Sequence, residues 1–310
     1  MSAGARIAIL IPCFNEAATI ASVIAGFQTS MPRARIIVCD NNSVDETAKV
    51  AGNAGADVMH EERQGKGSVI RRMFADIDAD FYLMVDGDGT YDASAAPDVV
   101  RLLANGRYDL VNVARKPSRP SAFRSGHWFG NRLLTGLVGF VFGMMTADML
   151  SGYKGFSRRF VKSFPALSSG FEIETEIMIH ALDLRLPFRE IVAPYGERPH
   201  HSPSKLRTFR DGLRILRLIG FLIRQKRPLA FFSGISAVMV AVSLTLGLPV
   251  VTEFFATGLV PRLPTAVLAA SLFVCAALSF VCGVVLDAIA QSRRETKRLH
   301  YLLNSPPSYE

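Results

Sequence analysis

Two stretches of this chain, residues 229–251 and 265–286, carry no charged side chain. As helices, rising about 1.5 Å per residue, each reaches across the roughly 30 Å of a bilayer's hydrocarbon core. Uninterrupted runs of that length are rare in the interiors of soluble domains, so two transmembrane helices are expected. The flanks set an orientation. Arg224, Lys226 and Arg227 precede the first run and Arg293, Arg294, Lys297 and Arg298 follow the second, whereas the connection 252–264 has Arg262 as its one basic residue. An excess of Lys and Arg marks the cytoplasmic side, which places both termini and everything before residue 229 there. The first apolar stretch, 7–11, is too short for a signal peptide and runs into Pro12, Asn15 and Glu16.

The remainder of the 310 residues is long enough for one large domain. Short apolar runs at 7–11, 35–39 and 81–85 read as buried strands, and they alternate with helical patterns at 17–28, 45–54, 68–77 and 95–104. Alternation of this kind predicts an α/β fold with a mostly parallel sheet and helices on both faces, whose ligands bind at the carboxyl ends of the strands. The polar segments 12–16, 40–45 and 86–91 all fall at such ends. Further on, 133–147 is apolar but too short to span a membrane and is interrupted by Gly136, Gly139 and Gly143; it fits a core helix or a segment lying on a membrane surface. Residues 206–223 place Arg207, Arg210, Arg214 and Arg217 on one helical stripe beside Leu206, Phe209, Leu213 and Leu216, the pattern of an interfacial helix. The polar end, 304–310, reads as disordered.

Within the strand-end segments, Asp86 and Asp88 stand out. Carboxylates at the end of a buried strand are costly unless they meet a cation or a hydrogen-bonding ligand. Two residues apart on extended chain, they point the same way, so one can hold a divalent metal while the other reaches a ligand hydroxyl. That suits a nucleoside diphosphate. The segment Gln64-Gly65-Lys66-Gly67 precedes a helix start, where backbone can approach a ligand and Lys66 can offset phosphate charge; it lacks the spacing of a Walker A loop. Asn42 or Ser43 is placed to cap the following helix, with Asp45 at its positive end, and Glu172, Glu174 and Glu176 open a later helix in the same electrostatic sense. His200 and His201 read as loop residues. The net charge of +8 comes without the aromatic-interleaved basic motif of a nucleic-acid module, so no nucleic-acid partner is expected, and basic residues beside apolar spans face anionic lipid instead. Cys13, Cys39, Cys275 and Cys282 have no metal-ligand spacing and read as small packing residues.

The runs IPCFNEAATI, DNNSVDETA and VDGDGTYD, then SGYKGFSRRF followed by FEIETEI and SPSKL, together resemble the membrane-associated family 2 glycosyltransferases, in particular the branch of dolichol-phosphate mannosyltransferase and bacterial polyprenyl-phosphate glycosyltransferases. The resemblance covers roughly 7–206. It implies a GT-A fold, Rossmann-like, for residues 1–204, followed by an interfacial helix at 205–228, a transmembrane hairpin at 229–290 and a cytoplasmic tail at 291–310. It implies inverting transfer of one hexose from a nucleotide sugar to polyprenyl phosphate, dependent on Mg²⁺ or Mn²⁺, at the cytoplasmic face of a bacterial inner membrane, with a homo-oligomer left open. By the same resemblance Pro12, Asn15, Glu16, Asp40, Asn42, Lys66 and Asp86 hold the nucleotide sugar. Asp88 ligates the metal with Thr90 beside it. Arg115, Arg124, Arg132, Arg198 and Lys205 receive the acceptor phosphate, and Asp148 orients the acceptor or contacts the metal.

Two other readings share the fold. A polysaccharide synthase with a sugar acceptor would carry a Gln-x-x-Arg-Trp element, and Trp128, the single tryptophan, is not in one. An inactive membrane scaffold would have no reason to keep Asp86 and Asp88. A nucleotide-sugar pyrophosphorylase shares only the sheet type and would need an N-terminal glycine-rich phosphate loop, which is absent from this sequence.

Overall fold

The structure is a computed structural model and describes residues 4–117, 148–170, 172–196, 224 and 227–304. Arg124, Arg132, Arg198, Lys205, His200, His201, the 133–147 stretch and the 206–223 helix lie outside the described residues. The chain divides into two compact units, residues 1–212 with 297–310, and residues 213–296.

The first unit is built on a seven-stranded sheet. In chain order its elements are β1 (Ile7–Cys13), α1 (Ile20–Ser30), β2 (Arg35–Asp40), α2 (Thr47–Asn53), β3 (Asp57–His60), α3 (Lys66–Asp76), β4 (Phe81–Met84), α4 (Ala96–Ala104), β5 (Leu110–Pro117), β6 (Lys154–Ser157), α5 (Arg158–Ser163), α6 (Ile173–Asp183) and β7 (Phe188–Tyr195). Strand order is β3-β2-β1-β4-β6-β5-β7. All neighbours are parallel except β6, which runs antiparallel between β4 and β5. The expected α/β fold with a mostly parallel sheet is therefore present.

Burial on both faces explains why the first strands are plain apolar runs: Ile9, Leu10 and Ile11 of β1 are fully inaccessible, as are Ile37 and Val38 of β2 and Tyr82 to Met84 of β4. Helix α1 presents Ile20, Val23, Ile24 and Phe27 to one face at helical spacing. On the other face Phe74 of α3 meets Phe156 of β6 with ring centroids 5.5 Å apart, and Phe156 stacks on Phe160 of α5 at 5.2 Å. The chain passes from β1 to β2 on one side, then returns through α3 to place β4 on the other. The crevice outside the carboxyl ends of β1 and β4 is thus a topological switch point, where open α/β sheets bind ligands.

The amino edge of the same sheet is closed from far along the chain. Asp109, fully buried before β5, accepts hydrogen bonds from Ser157 Oγ (2.6 Å), the Arg159 guanidinium (Nη2, 2.9 Å) and the Tyr301 hydroxyl (2.7 Å). Arg159 lies over the Tyr301 ring, 4.9 Å from its centroid, and Arg298 donates to the Leu184 carbonyl at 2.9 Å.

The second unit contains α7 (Pro228–Thr257) and the greater part of α8 (Leu263–Leu303), both long and apolar enough to cross a membrane. Their mutual contacts are made by small residues. Ser236 Oγ donates to the Ala276 carbonyl and Ser243 Oγ to that of Ala269, each at 2.8 Å, while Gly283 lies so close to Phe232 that a Cβ there would come within 2.9 Å of it. Val238, Phe255, Phe273 and Leu278 point outward and are more than half exposed. Such apolar outer faces are what a lipid solvent requires. Helix α7 ends at Gly258 in the left-handed conformation (φ 70°), whose amide donates to the Phe254 carbonyl.

Candidate functional site

Residues following β4 build the floor of the crevice. Met84 and Val85 are inaccessible, and the chain then emerges with Asp86 partly exposed and Asp88 buried. Asp88 Oδ1 accepts from the Thr90 amide (3.1 Å) and hydroxyl (2.5 Å), so Thr90 orients this carboxylate. Thr19, at the start of α1, donates its hydroxyl to the Gly87 carbonyl at 2.7 Å and ties the turn down between the two aspartates.

Lys66 stands at the first position of α3 and reaches Asp86 Oδ1, with which it forms a short ion pair, and Glu174 Oε1 at 2.5 Å. Its side chain is 9 % exposed and that of Glu174 6 %. Burial alone would lower the ammonium's pKa, but the two carboxylates overcome it and hold Lys66 charged well above the usual lysine range. Gly65, with φ 127°, lies against the Ser169 carbonyl, where a side chain would collide. Arg71 of α3 donates to the Ala166, Leu167 and Ser168 carbonyls, and Glu176 accepts from the Leu167 and Ser168 amides at 3.0 and 2.8 Å. The segment over Lys66 is thereby strapped from both ends.

On the β1 and β2 side the loops cross-link one another. Asn15 sits at φ 55°, its amide donates to Ser43 Oγ (2.9 Å), and its side-chain oxygen accepts from the Val44 amide (2.8 Å). The Glu16 amide, on a buried residue, donates to Thr47 Oγ1 at 2.8 Å. Asn41 bridges the Glu61 and Arg63 carbonyls and the Gly65 amide, and Asn42, at φ 59°, donates to the Glu62 carbonyl. Ser43 and Asn42 are accordingly not caps of α2, which begins at Thr47 without a side-chain cap; the difference arises because both are used to hold the neighbouring loops. Asp45 does accept from the Thr47 amide, at 3.0 Å, and also from Ala17 at 3.1 Å. Asp40 is buried at the end of β2, where Oδ2 accepts from the Ser43 amide (3.2 Å) and faces His60 Nδ1 at 3.7 Å, while Oδ1 has no hydrogen-bond partner among the described residues. Pro12, paired in register with Cys39, forms the partly exposed wall of β1 beside them.

The third side comes from β5 and from the chain entering β6. Arg115 grips Asp148 through Nε (2.6 Å), Nη2 (2.8 Å) and its backbone amide (3.2 Å). Burial opposes the charge on both groups, yet their pairing holds the Asp148 carboxyl below the usual range and raises Arg115. The Arg115 guanidinium lies 5.4 Å from the centroid of Tyr195, whose ring is 5.2 Å from that of Tyr91. Gly152 joins this side to the floor: its amide donates to the Tyr91 hydroxyl at 2.7 Å, and the Asp86 carboxylate occupies the space a Cβ would fill.

Among the expected residues, the structure thus brings Asp86 and Lys66 into direct contact, pairs Arg115 with Asp148, and interlocks the loops bearing Asn15, Glu16, Asp40 and Asn42. Sequence reasoning left out Tyr91 and the roles of Asn41 and Glu174. The glutamate cluster at 172–176 was visible but ambiguous: Glu176 receives backbone amides and Glu174 a lysine, distinctions that depend on tertiary contacts. No group of three or more His, Cys, Asp or Glu side chains able to cage a metal exists among the described residues. One buried carboxylate with a second nearby fits a hard cation that takes its other ligands from phosphate and water, as Mg²⁺ commonly does.

Residues 8–163 match the family model described as glycosyl transferase family 2. Over 299 residues the chain is 32 % identical to glycosyltransferase AglJ of Haloferax volcanii, covering 96 % of this chain and 98 % of that one. It is 25 % identical over 209 residues to the dolichyl-phosphate hexose transferase of the same organism, covering 67 % and 90 %. Among solved structures, glucosyl-3-phosphoglycerate synthase from Mycobacterium tuberculosis, crystallised with Mn²⁺ and UDP-glucose, superposes with a TM-score of 0.56 at 26 % identity, covering 71 % of this chain and 79 % of that one. With a switch-point crevice floored by two aspartates, and with matches that run through it, the chain belongs to glycosyl transferase family 2 and is a glycosyltransferase.

Proposed function

We propose that the protein transfers one hexose, with inversion, from a nucleoside-diphosphate sugar to a polyprenyl phosphate at the cytoplasmic face of a membrane that α7 and α8 span. The observation that carries this reading is the convergence of Asp86, from the acidic floor it shares with Asp88, and Arg115, from a wall bearing a cationic side chain, on the Gly152–Tyr91 contact. An acidic floor suits a metal-bound diphosphate, and a cationic wall suits a second anion. The name of one relative, a dolichyl-phosphate hexose transferase, supports a lipid phosphate as that anion. The apolar outer faces of α7 and α8 support a membrane location, and the basic flanks support its cytoplasmic side.

In this reading the base lies against Asp40, whose Oδ1 has no hydrogen-bond partner among the described residues and suits a ring N–H, a group that uracil, thymine and guanine possess and neutral cytosine lacks. Asp88, oriented by Thr90, would hold Mg²⁺ or Mn²⁺, which supplies charge neutralisation on the leaving nucleoside diphosphate. Asp86 reaches ribose or sugar hydroxyls while Lys66 pairs with both Asp86 and Glu174. Arg115, held by Asp148, meets the acceptor phosphate. A phosphate monoester with a second pKa of about 6 is largely ionised at neutral pH, so its oxygen attacks the anomeric carbon without a strong general base. The new C–O bond forms on the face opposite the departing diphosphate oxygen, which inverts the centre. The remaining work is to orient two anions and shield their repulsion.

The test uses purified protein in detergent with polyprenyl phosphate, Mg²⁺ or Mn²⁺, and a panel of labelled nucleotide sugars. One donor should yield a metal-dependent, organic-extractable glycolipid, and Asp88→Ala should reduce its formation by about 10³-fold, the scale set by loss of an electrostatic group at the leaving oxygens. No donor consumption with active lipid acceptor present would overturn the reading.

A further inference from the structure

Lys154 opens β6 and is wholly inaccessible. Its register partners are Met84 on β4 and Asn112 on β5, so it lies between the strand that leads to Asp86 and the strand that leads to Arg115. A lysine in such a place is costly, and among the described residues it has no carboxylate within ion-pair distance. Its ammonium donates instead to Asn112 Oδ1 at 2.5 Å and to the Met149 carbonyl at 3.3 Å.

Those two contacts have a direction. With its oxygen turned to Lys154, the Asn112 amide must present its NH₂ the other way, and this group donates to the Asp148 carbonyl and to Glu190 Oε2, each at 2.8 Å. Lys154 and Asn112 together therefore fix the two successive carbonyls of Asp148 and Met149. Asp148 in turn carries all three contacts to Arg115. An unbroken line of hydrogen bonds runs from the middle of the sheet to the guanidinium on the crevice wall.

We propose that Lys154 is a positioning residue for the acceptor, setting the Asn112 amide and the Asp148–Met149 backbone so that Arg115 is held where a phosphate oxygen arrives. This rests on the reading of Arg115 given above. Because the line of hydrogen bonds ends at Arg115 and not at Asp40 or Asp88, disturbing it should affect the acceptor and spare the donor. A general packing role would move both together.

The experiment measures kcat and the separate KM values for donor and lipid phosphate in the full-length protein for the wild type, Lys154→Met, Lys154→Gln, Asn112→Asp and Arg115→Ala. Lys154→Met keeps the volume and removes the donor; it should raise acceptor KM about tenfold with donor KM within about twofold, as expected for a reactant group displaced by a fraction of an ångström. Lys154→Gln, which retains an N–H donor, should recover part of the loss. Asn112→Asp keeps an acceptor for Lys154 but loses the donor to Asp148, and should reproduce the acceptor defect even if Lys154→Met fails to fold. Equal increases in both KM values, or an unchanged acceptor KM in Asn112→Asp, would overturn the proposal. If Arg115→Ala raises acceptor KM and the Lys154 and Asn112 variants do not, the phosphate reading stands and the positioning role falls. If Arg115→Ala itself leaves acceptor KM unchanged, the phosphate reading falls and takes the positioning role with it.

Discussion

Lys66 and Lys154 are both buried lysines near the same crevice, and their surroundings push them in opposite directions. Lys66 meets two carboxylates and stays charged, whereas Lys154 meets an amide and a carbonyl, and burial pushes its pKa down to about 8 from 10.5. The consequence for stability has a definite sign. Between those two values the unfolded chain binds a proton at Lys154 that the folded chain has released, so this residue's contribution to stability rises with pH across the interval. Below pH 8 the folded state carries the full cost of a buried cation. Thermal unfolding of the wild type compared with Lys154→Met should therefore show the wild type gaining on the variant from pH 8 to pH 10; parallel curves would show that Lys154 has an ordinary pKa. A residue that costs stability at neutral pH and still occupies the middle of a sheet is consistent with a task at the crevice. Asp86 and Asp88 stood out in the sequence because a carboxylate after an apolar run is costly without a cation or a hydrogen-bond donor, and the structure gives Asp86 the Lys66 ammonium and Asp88 the Thr90 amide and hydroxyl. Lys154 was not singled out, since a lysine between tyrosine and glycine gives no sign that it will be buried.

At the scale of elements, legibility followed burial on two faces. Strands β1, β2 and β4 are doubly covered, so each announces itself as an apolar run. Strand β3 is a short edge strand, Asp57–His60, and β7 carries Arg189 and Glu190 at the opposite edge; neither has the pattern of a core strand. Strand β6 is central, but it begins with a lysine and contains Gly155, against which α4 packs so tightly that a Cβ would overlap Val99. Its identity depends on neighbours distant in sequence. Similarly, the start of α3 at Lys66, two residues before the expected boundary, reflects the ion pairs that Lys66 makes. The strap over that helix start is testable by itself. Glu176→Ala leaves the Leu167 and Ser168 amides without their acceptor, a loss of about 1–3 kcal/mol confined to the loop. Hydrogen exchange should quicken at 166–170 and in the first turn of α3 while β1 and β4 keep their protection; uniform acceleration throughout the sheet would refute a local strap.

The whole molecule combines a unit built on a sheet of buried apolar strands with two helices whose outer faces are apolar, and the two charge-free runs of the sequence lie in those helices. What it did not show is that the first unit is discontinuous, made of 1–212 and 297–310. Tyr301 is buried against a fully buried Asp109. Removing its hydroxyl in Tyr301→Phe should lower the stability of this unit by about 1–2 kcal/mol, since one acceptor of a buried carboxylate contact is left short. Denaturant unfolding followed through the sheet would check this, and an unchanged midpoint would show the contact to be incidental. The contact also imposes an order on biosynthesis. A ribosome makes Asp109 early and Tyr301 only in the last turn of α8, after both charge-free runs have been polymerised, so the amino edge of the sheet waits, with Asp109 and Arg159 in place, for that turn. Completion of the first unit is thereby delayed until both charge-free runs have been made, and a nascent chain that stalls before that stage lacks the residue that finishes its sheet edge.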